Sequence, residues 1–197
     1  MKVHFRHFNT QYRSLLSFLE LEANPIKIQI SPTTKELPDG FEWGPENEVD
    51  KCLTWLSSIV TIPEEKNLIS VAHQPGLLNS DFGSYNVKGT IDLVFISELF
   101  VETWNIRGGI EITVELKKDI HQRYVKQAIT QLITAATSSQ FAVIVLLTDL
   151  KEVWLFSWLS KSGIQQSSTW VEASHCVQSY IKTDGSPLHE RCYNEAI

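Results

Sequence analysis

From Ile110 to Lys117 the chain alternates without a break, with Ile110, Ile112, Val114 and Leu116 set against Glu111, Thr113, Glu115 and Lys117. Successive side chains of a strand point to opposite faces, so this spacing predicts a strand with one apolar face. The other face carries two carboxylates and a lysine. Gly89 to Ile96 predicts a second strand from its β-branched and aromatic residues, and Asp92 is the only charge in that run. Leu68 to Ala72 and Phe141 to Leu147 predict two more, and Lys27 to Ile30 a short one. Lys151 to Leu159 follows a turn at Asp149 to Lys151 and places Trp154, Phe156 and Trp158 on one face. Such a stripe can stack bases, but it is more often a packing face.

Helical spacing replaces alternation elsewhere. Residues 45–60 carry apolar side chains at 49, 52, 53, 56, 59 and 60, behind a first turn with Pro45, Glu46, Glu48 and Asp50. Residues 122–139 place Val125, Ala128, Ile129, Leu132, Ile133 and Ala136 on one stripe, with Gln127 and Gln131 a turn apart beside it. A further helix is predicted around Gln11 to Leu21. Proline and glycine mark loops at 31–44 and 75–85, and Arg107-Gly108-Gly109 marks a turn. Helices alternating with strands predict an α/β fold with a central sheet.

Length and composition then bound the reading. At 197 residues, 43% hydrophobic and 20% charged, the chain suits one domain with appendages. Residues 1–44 read as an N-terminal extension packing on a core at 45–160, and 161–197 as a C-terminal extension. No run has the length to cross a bilayer, and the first residues lack the apolar centre of a signal peptide. Cys52, Cys176 and Cys192 are too scattered for a disulfide framework or a cysteine-based zinc site, which suits a reducing, intracellular compartment. The six histidines do not cluster, and His73 and His121 read as surface residues. A net charge of −6 argues against a wide nucleic-acid grip, although Lys117, Lys118, Arg123 and Lys126 form a local basic group.

The chemistry centres on the acids. If the two strands pair with Asp92 level with Glu115, carboxylates about 4 Å apart repel by roughly 4 kcal/mol at an effective dielectric near 20. A shared proton, a cation or solvent must hold such a pair, and oxygen donors suit magnesium or manganese. Lys117 would share their face and could neutralise a phosphate or orient a water. The plain alternative is the wet face of an antiparallel sheet.

Asp92, twenty-two intervening residues, then Glu115-Leu116-Lys117 resembles the Asp…Glu-X-Lys signature of the PD-(D/E)XK nuclease superfamily. The predicted element order resembles that family's restriction-endonuclease-like αβββαβ core, a mixed central sheet flanked by helices. Val114 to Lys118, Gln127 to Leu132, and Leu147 to Leu150 with Val153 to Phe156 are similar to nuclease domains of Crinkler-type effectors of oomycetes and fungi. Ile91 stands before the key Asp92, where a proline is common in the family.

The resemblance implies a magnesium-dependent endonuclease, with manganese a substitute, acting on nucleic acid, DNA before RNA. Asp92, Glu115 and the Leu116 carbonyl would bind the metal. Glu48, with Glu46 as second choice, would complete the shell through water from the first core helix. Lys117 would position or activate the attacking water. Gln127, Gln131 and Lys118 would approach the substrate phosphates. A nuclear location is implied by the resemblance alone. The competing expectation, favoured by the acidic balance, is a catalytically silent module of the same fold that binds protein or nucleic acid.

Overall fold

A computed structural model describes residues 8–25, 39–44, 48–160 and 163–167. Its first helix, α1, spans Phe8–Phe18 and is followed by a short strand, β1, at Ala23–Pro25. Helix α2 covers Val49–Ile59 and leads into β2 at Lys66–Ser70. A hairpin comes next, β3 at Leu78–Phe82 and β4 at Tyr85–Gly89. Strand β5 at Leu93–Ser97, the single-turn helix α3 at Glu98–Glu102 and a 3-10 turn at Ile106–Gly109 lead to β6 at Ile110–Leu116. Helix α4 at Gln122–Ala136 precedes β7 at Ile144–Thr148, β8 at Trp154–Ser160 and β9 at Gly163–Ser167.

The molecule is α/β, with a mixed central sheet flanked by helices. Seven strands run in the order β1-β9-β8-β7-β6-β5-β2, and β3-β4 stands apart as a two-stranded ribbon. Strands β2, β5 and β6 pair antiparallel, and β7 joins β6 in parallel after the α4 crossover. The expected succession of helix, three strands, helix and strand is therefore present as α2, β2, β5, β6, α4 and β7. The hairpin is inserted after its first strand.

Each face of the sheet is closed by its own helix. On one, Cys52 and Leu56 of α2 pack against Ile112, Val114 and Leu116 of β6, Leu93 and Phe95 of β5, and Trp154 and Phe156 of β8. Leu56 is 1% exposed, and full burial of such a side chain contributes about 1.5–3 kcal/mol. The aromatic stripe on β8 is thus a packing face, with Trp154 stacked on Trp55 at 6.5 Å between ring centroids. On the other face, Ala128, Ile129, Leu132 and Ile133 of α4 cover Val94, Val145 and Leu147, and Tyr12 of α1 joins the same cluster with Leu16 packed against it.

Five sequence expectations are corrected or leave the described residues. The stretch at 75–85 contains β3 and the start of β4 rather than loop alone, and it hid the strand because Asn79, Ser80 and Asp81 of β3 are polar in succession and mostly half-buried. Asp92 lies just before β5 instead of within it. The turn at 107–109 closes a longer connection that includes α3. Gly109 is required there, because a Cβ on it would stand 2.3 Å from Phe100 Cβ. The strand expected at 27–30 and the role considered for Glu46 fall outside the described residues.

The wet-face alternative for β6 fails as well, since all seven residues of the strand are buried. Glu111 is drawn away from the acidic row. It pairs with Lys66 of β2 at 2.6 Å, both side chains nearly sealed from solvent, and the Lys66 ammonium lies 5.6 Å from the Phe141 ring centre. Among the described residues, no helix is long and apolar enough to cross a membrane.

Candidate metal and catalytic site

Strand pairing assembles the site. Leu93 of β5 lies opposite Val114 of β6, so Asp92 comes level with Glu115 at the end of the ladder. The Leu116 backbone N–H donates to Asp92 Oδ2 at 2.8 Å, which pins that carboxylate to β6. Beyond Leu116 the Lys117 N–H donates to the Thr148 carbonyl at 3.0 Å and keeps the chain beside β7. Lys117 Nζ then stands 2.5 Å from Glu115 Oε1 and 3.9 Å from Asp92 Oδ2, and it donates to the Leu116 carbonyl at 3.0 Å. Two acids, one lysine and one backbone carbonyl thus share one small space.

Helix α4 closes that space from the sheet's other side. Gln127 Nε2 donates to Glu115 Oε1 at 2.7 Å, and Gln131 Nε2 donates to Glu115 Oε2 at 2.6 Å. Gln131 Nε2 also donates to the Thr90 carbonyl at 2.6 Å, tying the helix to the approach of Asp92. Both glutamines reach the site as the sequence suggested, but they hold Glu115 rather than project into solvent. Tyr124, three residues before Gln127, places its ring centre 5.4 Å from Lys117 Nζ. That contact was missed in the sequence, although residues 124, 127 and 131 share a helical face.

The electrostatics are those of two acids short of positive charge. Burial pushes the Asp92 pKa up, against the Leu116 N–H and the Lys117 ammonium, which lower it. Burial also raises Glu115, and the neighbouring Asp92 charge adds to the rise, while Lys117 and Gln131 oppose it. The Glu115 side chain is 3% exposed, Asp92 20% and Lys117 23%, so solvent reaches the group from the Asp92 and Lys117 side. Cys52, behind them in α2, is pushed up to about 12 by burial and by the fields of Asp92 and Glu48.

The remaining expected residues take other places. Glu48 stands at the N-cap position of α2, and its side chain makes no capping hydrogen bond to the helix. It accepts from the Gly44 N–H at 3.0 Å and pairs with Lys51, and these two contacts hold its carboxyl below the usual range. Among the described residues, no three of the acid, histidine and cysteine side chains converge on one point, so Glu48 does not join Asp92 and Glu115 directly. Lys118, His73 and His121 are exposed, and His121 stacks on Tyr124. Arg123 lies over the Tyr124 ring, and Lys126 lies 5.9 Å from the Tyr12 ring centre.

The donor set fits a hard divalent cation. It consists of two carboxylates and a carbonyl, all oxygen, with net negative charge concentrated in a partly desolvated corner. Such an ion would supply the positive charge that one lysine leaves short. No family model matches the chain, and no curated protein or solved structure does either.

Proposed function

We propose that the protein is a metal-dependent nuclease of the PD-(D/E)XK type, hydrolysing phosphodiester bonds of nucleic acid. The observation that carries this reading is the convergence of Asp92, Glu115, the Leu116 carbonyl and Lys117 at the end of β6, opposite the start of β5. A magnesium or manganese ion there would be held by Asp92, Glu115 and the Leu116 carbonyl, with Glu48 reaching it through water. When bound, the ion supplies Lewis acidity toward a phosphoryl oxygen and a bound water of lowered pKa.

The chain's own residues do the rest. Gln127 and Gln131 fix both oxygens of Glu115, so its orientation is set before any ligand arrives. The Leu116 N–H does the same for Asp92. Lys117, shared between the acids and cushioned by Tyr124, is the cation able to orient an attacking water or to stabilise charge that develops on the phosphate. Lys118 and Arg123 lie exposed nearby and can meet flanking phosphates. DNA is favoured over RNA through the family resemblance.

A thermal melt tests the site without relying on cleavage. Magnesium or manganese should raise the melting temperature of the wild-type protein, because a ligand bound only to the native state stabilises it by about 2.7 kcal/mol at a hundred times its Kd. Asp92→Asn should remove that shift. An equal shift in the variant would overturn the assignment of Asp92 as a ligand. The silent-module reading keeps one observation in its favour: the net charge of −6 gives little general attraction for a polyanion.

A further inference from the structure

A cavity of about 530 Å³ lies between the β3-β4 ribbon and α4. Leu78, Val87, Lys88, Gln127, Thr130 and Gln131 are among its lining residues. Its size is that of a small-molecule site, and among the described residues Lys88 is the only formal charge on its wall. The ribbon is held in place by Arg107, which donates from Nε to Ser138 Oγ at 2.7 Å and from Nη2 to Ser80 Oγ at 2.9 Å and to the Asn79 carbonyl. Ser80 also meets Thr137 at 3.1 Å, so the ribbon face bearing Leu78, Ser80 and Val87 is turned toward α4.

Two features connect this cavity to the site. Gln127 and Gln131 line it, and the same two side chains hold the two oxygens of Glu115. Gln131 has a second property. Its amide nitrogen is committed to two acceptors, the Thr90 carbonyl and Glu115, which fixes the orientation of the amide. Its oxygen is left buried without a partner among the described residues. A buried acceptor without a donor is costly, and the side chain that carries this one borders the cavity.

We infer that this cavity seats one unpaired nucleotide of the substrate beside the scissile phosphate. The inference rests on the nuclease reading above. A nucleobase has flat, largely apolar faces and polar groups on its pairing edge, so the base suits a wall that combines Leu78 and Val87 with Gln127 and Thr130. The attached phosphate suits Lys88, exposed at the rim and without an ion pair among the described residues. Because a base seated in the cavity cannot keep its pairing partner, the cavity selects single-stranded or frayed nucleic acid over intact duplex.

Fluorescence anisotropy in chelator tests this apart from cleavage, with a labelled short single-stranded oligoadenylate as probe. Its fully paired duplex and inorganic phosphate serve as competitors. Val87→Trp fills the cavity from the ribbon side and should weaken binding by about tenfold, equivalent to about 1.4 kcal/mol. Lys88→Ala, at an exposed position that folding does not depend on, should weaken it by about threefold, the scale of one exposed ionic contact. Duplex should compete less well than single strand, and phosphate alone weakly.

Wild-type affinity in both variants, equal affinity for duplex, or full competition by phosphate would overturn the assignment. Absence of wild-type binding would also overturn it. The predicted binding pattern in a protein that cleaves nothing with any metal would support the cavity assignment and remove the nuclease reading. Metal-dependent cleavage with unaltered binding in both variants would do the reverse.

Discussion

Asp92 and Glu115 are held close together with one lysine between them, and the energy of that arrangement has a definite sign. Their native pKa values lie above those of free carboxyls, chiefly through burial. The folded state therefore binds protons more tightly than the unfolded one. Its stability is fullest below the ordinary carboxylate range and falls as the pH rises through the raised native values. Urea titrations of the wild type in chelator should show that fall. Asp92→Asn keeps an acceptor for the Leu116 N–H while removing a charge. It should flatten the pH dependence and raise the urea midpoint at neutral pH. A lower midpoint for the variant at neutral pH would mean that the acids stabilise the fold rather than strain it. The sequence showed Glu115 and Lys117 because strand alternation orders side chains by face, and Asp92 because it is the only charge in its apolar run. It did not assign Glu111, whose partner Lys66 lies 45 residues away and meets it only through the β2-β5-β6 pairing.

At the scale of elements, β6 shows why a polar row can be buried. Glu115 is satisfied by Gln127, Gln131 and Lys117, and Glu111 is paired with Lys66. Removing one partner of a buried ion pair leaves an uncompensated charge. Lys66→Met should therefore cost about 3–5 kcal/mol in denaturant unfolding, and the further change Glu111→Leu should recover most of the loss. A double variant no more stable than Lys66→Met would contradict that account. The β3-β4 ribbon depends on Arg107 in the same way. Arg107→Ala should cost about 1.5–3 kcal/mol, the scale of hydrogen bonds to a charged group, and speed amide exchange mainly within 78–89. Exchange accelerated evenly across the sheet would show that Arg107 supports the whole fold instead. The ribbon was hard to read because Leu78 is its only fully buried residue and most of its positions are half-exposed. The turn at Gly83, with φ of +64°, was the available signal. Helices α2 and α4 were legible because their buried residues repeat at helical spacing, as the long core strands were from their apolar runs.

Across the whole molecule, two helices close opposite faces of one mixed sheet, and the acids emerge where β5 begins and β6 ends. Strand β9 continues that sheet past residue 160 and pairs in parallel with β1. Neither short strand carried a recognisable sequence pattern. The overall charge of −6 sets any affinity for nucleic acid against general repulsion, so binding must come from local groups, those around Lys117 and the cavity with Lys88 at its rim. The most direct test of the central claim is cleavage of plasmid DNA and of a structured RNA by purified protein in magnesium, manganese or chelator, with Lys117→Ala alongside. The wild type should show metal-dependent cleavage with a preference for DNA, and the variant a loss of at least about a hundredfold, the scale of a positioned catalytic group. A folded wild-type protein that cleaves neither polymer with either metal, or a Lys117→Ala variant as active as the wild type, would contradict that claim.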